Sequence, residues 1–499
     1  MKIARIIAML LLIAMCMTMI VACNDDSGNQ TTTAATTKPT NPGGPSADVD
    51  ANGFLKDKVP DNNYGVTINI RCWTQGTKEY DLPEPGEDAD DIDFALYNRN
   101  RKVEDRLGVE LKYHEIAGNS TATVPTFVDD VHTAVESNLG SYDIVGAYTR
   151  CAGVLAMKGD YLNLYDVDHV DTDMPWWPAE IINTNTISNK LFVATGDIAT
   201  SLIYQMEFMV INKEYAEEFN IDVDELQALA IDGGWTFDKM LEITSNCYQD
   251  VDTTPGKSKE DRFGLHIMGH NLYDLFYMGA GLKYVEPTED GNSLQISDDY
   301  AGAVSRTILT KFADAYKTNN SYFYGSGASI AEGKSLLYGV VGATLATTLR
   351  DATFTYRILP APKFFDTEEY YTAIQFQLSL YAIPKDVKDR SISGAVMEVM
   401  ASESYRQVTP ILFDKVFLYK LTNAESDIAL LNIIRDRTTF DLARTFFEDL
   451  GGDTNGPVRL WRNLVVNQST KIQGHVNTNG TRWNGVLKNI YDTISTIEN

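Results

Sequence analysis

The sequence predicts an α/β protein folded as two lobes or two domains, and three observations carry that expectation. Strand and helix patterns alternate through residues 66–148. Roughly 440 residues follow a polar spacer, more than one domain usually holds. Cys72, Cys151 and Cys247 lie far apart within that body, so neither a disulfide framework nor a metal set organises it, and they read as packing residues.

At the start of the chain, Lys2 and Arg5 precede an apolar stretch from Ile6 to Ala22. A charged front, an apolar middle and small residues at its end describe a secretory signal, and the run is short for a bilayer span. Cys16 lies within the apolar middle and reads as a small hydrophobe that leaves with the signal. Cys23 closes "IVAC", the pattern of a bacterial lipobox. In that pattern a diacylglycerol joins the cysteine sulfur, residues 1–22 are removed, and Cys23 becomes the mature N-terminus. An ordinary cleaved signal without lipid is the alternative. Two acyl chains on one residue anchor stably where one chain does not.

From Asp25 to about Gly53 the chain is rich in Thr, Gly, Pro and Asn, with no aromatic residue. It lacks the apolar surface a core needs, so residues 23–60 are expected to be a lipid-anchored flexible linker. No later stretch is long and apolar enough to cross a bilayer. The expected location is the extracellular face of a cell membrane, held through Cys23. A formal net charge of −27 argues against nucleic-acid or anionic-lipid binding by the body of the protein.

"YGVTINIRCW" is β-branched and alternating, and predicts a strand from about Val66 to Cys72. In "DIDFALYNRNRKVEDRLG", Ile92, Leu96, Val103 and Leu107 share one helical face, and Gly108 supplies the stop. "VELKYHEI" is a second strand. Val128, Val131, Val135 and Leu139 follow helical spacing up to Gly140, and "YDIVGAY" is a third strand. This alternation implies a parallel sheet with right-handed crossovers. If the strand order is 2-1-3, a ligand crevice lies between the loops after strands one and three. Those loops are Trp73-Thr74-Gln75-Gly76 and Ala147-Tyr148-Thr149-Arg150. An indole, a phenol, an amide and a guanidinium suit a polar ligand with apolar faces, and a sugar has that character. The alternatives stay open here: Trp73 and Tyr148 as caps on the end of the sheet, and Arg150 paired to a surface carboxylate.

Further along stand "GDYLNLYDV", "MPWWPAE", "NKLFVATGDI", "MVINKEYAEEF", "GGWTFDKMLEIT", "AEGKSLLYG", "YRILPAPKF", "YAIPKDV" and "ASESYRQVTPILFDKVF", in that order. Together with the lipobox, this series resembles the extracellular solute-binding protein family 1 of ABC importers, in the lipoprotein form common in Gram-positive bacteria. The likeness covers about Val66 to the C-terminus. It implies a periplasmic-binding-protein-like type II fold: two α/β lobes joined by a hinge, closing on a carbohydrate and presenting it to the permease subunits of an ABC transporter. It implies no enzyme activity, no cofactor and no metal, and a monomer is expected. On that map residues 64–200 and 376–430 form lobe 1, and residues 205–372 and 431–499 form lobe 2. Asp197 and Tyr204 fall near the first crossing between lobes, Gln375 and Gln377 near the second. Asn271 and Tyr273, in "GHNLYDLF", fall where the second lobe supplies an aromatic ligand contact. Two departures stand out. "GVVGATLATTLRD" has no Trp where sugar-binding members often place one, and "GKSKEDRFGL" replaces the acidic, calcium-loop-like run of many relatives.

Other motifs read as structural. Thr236 in "WTFDKM" is a fitting N-cap, with Trp235 and Met240 placed as a hydrophobic staple. Trp176, Trp177, Trp461 and Trp483 are expected to pack in the core or at the rim. "GASIAEGKS" has one residue too many for a phosphate-binding loop. His266 and His270 are four apart but sit in a β-rich stretch with a Gly between them, which weakens a metal reading. "EDADDIDF" lacks the glycine of a calcium loop. Two competing functions remain at this level: a surface-anchored polysaccharide hydrolase, and the same fold binding a peptide or an acidic sugar.

Overall fold

Residues 54–64 are fastened to the first α/β layer, with Asn62 and Tyr64 N–H groups donating to the Arg106 and Leu107 carbonyls at 2.8 Å. The computed structural model describes residues 49–498 apart from 51–52, 81–83, 319, 326–329, 366–368 and 419–424. Cys16, Cys23, the signal and most of the spacer lie outside the described residues. Within the expected linker, the Asp57 side chain is buried and accepts two N–H bonds at 2.9 Å from the Arg106 guanidinium, an O–H bond at 2.6 Å from Ser402 and an N–H bond at 3.0 Å from Arg406. The Arg106 guanidinium beside it holds its carboxyl well below the usual carboxylate range, against the opposing effect of burial. Residues 54–60 therefore pack with lobe 1. Nothing in their composition revealed that, because the partners are some 50 and 350 residues away in sequence.

Lobe 1 is a four-stranded sheet. Strand β1 (Val66–Trp73) runs parallel to β2 (Val109–Ile116) on one side and to β3 (Ile144–Tyr148) on the other, which is the 2-1-3 order. Between β1 and β2 runs helix α1 (Asp91–Leu107). Asp90 caps it in a reciprocal capping box with Asp93, and Gly108 ends it in the left-handed region at φ 60°. Its four face residues Ile92, Leu96, Val103 and Leu107 are all buried, as their spacing predicts. The next helix, α2 (Val124–Glu136), stops short of the expected end. Leu139 lies beyond it and is 70% exposed, while Asn138 (φ 54°) and Gly140 (φ 58°) turn the chain. Helix α3 (Thr149–Lys158) starts directly after β3, so Thr149 and Arg150 are helix residues rather than loop.

The chain leaves this lobe through residues 197–206 and enters a five-stranded second sheet. In chain order its strands are β4 (Glu207–Asn212), β5 (Phe263–Ile267), β6 (Tyr322–Tyr324), β7 (Ser335–Val341) and β8 (Tyr356–Leu359), arranged 8-4-7-5-6. β5 is parallel to β6 and β7, and β4 is antiparallel to both its neighbours. Short helices border it, among them α4 (Val223–Ile231) and α5 (Gly342–Ala346). The return strand β9 (Ser379–Ala382) joins the lobe 1 sheet antiparallel to β3. The outgoing and returning segments touch: Met206 bridges Ile374, and Gln375 N–H bonds the Gln205 carbonyl at 2.9 Å.

A third crossing follows helix α6 (Arg390–Glu403) through two π-helical stretches, Ser404–Val408 and Leu412–Phe417. Helix α7 (Glu425–Asp436) already packs on α4 and β8. That places the third crossing before Glu425 rather than at the expected boundary of 430/431. The last elements, α8 (Leu442–Thr445), α9 (Pro457–Val466) and α10 (Ile472–Thr496), touch both lobes. α8 packs on α3, α9 on the turn after β5, and α10 on the Leu294–Ile296 strand and on α3. The fold is α/β with two lobes. Among the described residues, no helix is long and apolar enough to cross a membrane.

Candidate functional site

A cavity of about 500 Å³ opens between the lobes, within the range of about 300–1,000 Å³ usual for small-molecule sites. Lobe 1 supplies Tyr148 and Arg150 from the junction of β3 and α3. The crossings supply Gln205, Gln375 and Gln377, and lobe 2 supplies Asn271 from the turn after β5. Tyr148 and Arg150 are put here because β3 ends at the cavity and α3 starts directly after it.

The polar lining is cross-linked. The Asn271 amide donates to Gln375 Oε1 at 3.1 Å, and the Gln375 amide donates to the Asn271 carbonyl at 3.0 Å and to Glu207. Beneath them lies a buried charged group of four. Asp274 accepts from Arg444 at 2.7 Å and from Arg462 Nε at 2.9 Å, and Glu207 stands 3.8 Å from Arg444. Burial drives the Glu207 carboxyl far above its usual range, and the Asp274 charge pushes the same way against Arg444. Arg444 and Arg462 lie over the Phe376 ring at 5.0 and 4.9 Å. On the opposite wall Arg150 stacks over Phe447 at 4.6 Å and pairs with Glu448 and, at 3.2 Å, with Asp453. His270 contacts Arg459, and burial with the two nearby arginines lowers its pKa to about 4, so the ring is neutral. The cavity thus offers amide and guanidinium donors whose charges are already balanced by carboxylates. The ring faces of Phe376 and Phe447 are occupied by guanidinium groups.

The structure brings together four residues expected in the site, Tyr148, Arg150, Asn271 and Gln375, with Gln377 beside them. It moves others out of the lining. Trp73 is the last residue of β1, not a loop residue. It is 2% exposed, its indole N–H donates to Ser379 Oγ at 3.0 Å, and its ring lies 5.1 Å from Tyr148, which it props from behind. Gln75 spends its amide on Ser379 at 2.6 Å and Tyr80 at 3.0 Å. Thr149 is buried and donates to the Leu378 carbonyl at 2.9 Å, tying α3 to the returning chain. Asp197, raised to about 7 chiefly by desolvation, accepts from Thr409 in the third crossing. Tyr273 is buried in the lobe 2 core, bonded to the Tyr316 hydroxyl at 2.7 Å. Tyr204 lines a second, separate cavity.

Sequence reasoning did not find the C-terminal contribution: Phe447, Asp453 and Arg462 all line the cavity. Its only trace was the close spacing of acids, glycines and arginines in "FEDLGGDTNGPVRLWRN". The remaining motifs resolve simply. Trp176 and Trp177 are buried and donate to Glu398 at 2.9 Å each, and Trp235, Trp461 and Trp483 are core. Thr236 caps its helix, accepting from Lys239 N–H at 3.2 Å. Lys334 and Ser335 lead into strand β7, whereas a phosphate loop needs a helix there. His266 sits in β5 bonding the Gly325 carbonyl at 2.8 Å, apart from His270. Cys72, Cys151 and Cys247 are buried free thiols. Among the described residues, two groups with metal-ligand chemistry gather, His132 with Glu136 and Asp160, and Asp250 with Asp252 and Asp261. Neither borders the inter-lobe cavity.

No protein-family model matches the chain, and no curated protein does. Solved structures do. The cyclic α-maltosyl-1,6-maltose binding protein of Arthrobacter globiformis is 12% identical with a TM-score of 0.53, covering 85% of this chain and 99% of that one. An ABC transporter solute-binding protein of Thermotoga lettingae, bound with α-D-tagatose, is 12% identical with a TM-score of 0.51, covering 84% and 99%. UspC of M. tuberculosis is 13% identical with a TM-score of 0.51, covering 84% and 100%. At these identities the likeness is one of fold.

Proposed function

We propose that this chain is an extracellular substrate-binding protein of an ABC importer, anchored by lipid on Cys23, which captures a sugar or oligosaccharide by hinge closure and delivers it to the permease. One observation carries this reading. A polar cavity, rich in amide and guanidinium groups, lies between two lobes that are joined by paired crossing segments, with lining residues drawn from both lobes and from the crossings. The shared fold with sugar-binding solute receptors supports it.

The mechanism follows from where the contacts sit. A ligand touching Tyr148 and Arg150 on one lobe and Asn271 on the other is fully gripped only when the lobes approach, so it shifts the population toward the closed form. Gln375 lies in the hinge itself and already binds Asn271, so a hydroxyl inserted there is felt by both lobe and crossing. Amides accept and donate at once, which suits a neutral ligand dense in hydroxyls. No covalent step is part of this reading. Asp453, which lines the chamber, and Glu448 beside it are both paired to Arg150, so neither is a free carboxyl acid of the kind a glycosidase aims at the glycosidic oxygen.

The test is a thermal-shift screen of the protein against mono- and oligosaccharides. A ligand present at 100 times its Kd, binding only the folded state, adds about 2.7 kcal/mol of stability. A sugar that raises the melting temperature without releasing reducing ends supports binding. Release of reducing ends would establish the hydrolase instead, and a panel with no shift at all would overturn the carbohydrate reading. For the anchor, Cys23→Ser should shed the protein from the membrane into the medium.

A further inference from the structure

Away from the inter-lobe cavity, lobe 1 gathers an imidazole and two carboxylates at one place. His132 and Glu136 stand four residues apart on α2, so the helical repeat puts both on one face, and Glu136 is the last residue of the helix. Asp160 comes from a different element. Helix α3 ends at Gly159, whose left-handed backbone (φ 74°) turns the chain, and the Asp160 N–H then bonds the Leu155 carbonyl at 3.2 Å. The Asp160 carbonyl in turn accepts from the Lys385 N–H at 2.8 Å, which fixes the turn from its other side. Helices α2 and α3 pack together, and one ligand atom from each of His132, Glu136 and Asp160 lies within 4.8 Å of the other two.

Asp160 is the group that calls for a cation. Its side chain is 2% exposed, and among the described residues the only hydrogen-bond partner of its carboxylate is the His132 ring. The ring Nδ1 lies 2.9 and 3.0 Å from the two oxygens. A buried carboxylate ordinarily has a full positive charge or several donors beside it, because its lost hydration is otherwise uncompensated. A neutral imidazole offers one proton for two oxygens. Desolvation lifts the Asp160 carboxyl above its usual range against the pull of His132 and Lys158, and the Glu136 charge pushes it the same way. The acidic group of Asp250, Asp252 and Asp261 is different. There Asp252 accepts from Thr254 and Ser258, and Asp261 from Tyr248, Val251 and Ser258, at 2.7–3.3 Å.

One nitrogen with two oxygens is a donor set for zinc and its transition-row neighbours, whereas calcium and magnesium take oxygen ligands. In a tetrahedral site with bonds of about 2.0–2.1 Å, ligand atoms stand about 3.3 Å apart, so a small swing of the exposed Glu136 side chain completes the set. Three protein ligands leave the fourth position to water.

We propose that His132, Glu136 and Asp160 form a binding site for a divalent transition ion of the zinc class, which staples α2 to the turn after α3. The ion takes the place of the proton between His132 and Asp160 and supplies the positive charge the buried carboxylate lacks. None of the three residues borders the inter-lobe cavity, so the site stands or falls apart from the carbohydrate reading.

The experiment is calorimetric titration of the EDTA-stripped and dialysed protein with zinc chloride, with calcium and magnesium chlorides as parallel titrants and a thermal melt of each sample. One equivalent of zinc should bind and raise the melting temperature, because the ion binds only the folded site. Calcium and magnesium should bind at least about tenfold more weakly. His132→Ala and Glu136→Gln should each weaken zinc binding at least about tenfold, no less than the loss of a residue that merely orients a ligand. Glu136→Gln changes an exposed group at a helix end, so it reads the site even where a change at Asp160 prevents folding. Asp252→Asn should leave zinc affinity unchanged. No zinc binding, or an affinity unmoved by His132→Ala and Glu136→Gln, would overturn the site. Calcium binding as tight as zinc would overturn the class of ion.

Discussion

Replacing Asp274 by Asn tests the buried charge group under the cleft. The side chain is wholly buried and accepts from Arg444 at 2.7 Å, from Arg462 Nε at 2.9 Å and from the Tyr284 hydroxyl at 3.3 Å. The isosteric amide keeps the volume but removes the carboxylate that, alone among the described residues, hydrogen-bonds both guanidinium groups. Leaving buried charge uncompensated costs about 3–5 kcal/mol. At about 2 °C per kcal/mol for a domain the size of one lobe, the melting temperature should fall by about 6–10 °C. The cost should also depend on pH. Glu207 stands 3.8 Å from Arg444, and Asp274 helps to keep it protonated. Without the Asp274 charge, Glu207 ionises more readily and takes over as the partner of Arg444. The loss should therefore be largest near pH 6 and smaller near pH 9, read by scanning fluorimetry across that range. Adding Glu207→Gln removes the replacement, so the double variant should lose more at pH 9 than the two single losses added together. A melting temperature unchanged by Asp274→Asn, or a loss that grows with pH, would refute the assignment of this group as a single charge-compensated unit.

Arg150→Met removes a stacked guanidinium and its pairs with Glu448 and Asp453; ligand affinity in titration calorimetry should drop at least about tenfold, with about 1–2 kcal/mol of stability lost. Gly153 on α3 leaves no room for a side chain, since a Cβ there would lie 2.0 Å from the Thr445 carbonyl oxygen. Gly153→Ala should force α3 and α8 apart at a cost of about 1–3 kcal/mol, visible as a lower urea midpoint. Glu398 is buried, and desolvation lifts its carboxyl to about 7 despite the Trp176 and Trp177 N–H donors. Its folded pKa exceeds the unfolded value, so between about 4.5 and 7 the unfolded chain ionises first and stability falls as pH rises, by up to about 1.4 kcal/mol per pH unit. The melting temperature should thus be higher at pH 5 than at pH 7.5, and Glu398→Gln should flatten that slope.

The 2-1-3 order of the first sheet was settled by the fold, whereas the sequence by itself determined the α/β class, the alternating strands and helices of that sheet, and the buried face of α1. These follow from local periodicity and caps, which are written within a few residues: Ile92 to Leu107 on one face, Asp90 before it, Gly108 after it. It also placed Tyr148 and Arg150 at the ligand crevice, whereas Asn271 and Gln375 came from the family resemblance alone. Tertiary structure alone decided which of their neighbours reach the cavity. Trp73 ends a strand instead of starting a loop, and period-two alternation then turns its ring into the core. The C-terminal wall of Phe447, Asp453 and Arg462 comes from about 300 residues beyond Arg150, and no local pattern encodes such a meeting. The fastening of Asp57 to Arg106 and Arg406 was invisible for the same reason. A single carboxylate in a polar stretch becomes structural only when the fold carries two guanidinium groups to it, because charge pairing depends on distance in space and not on distance along the chain.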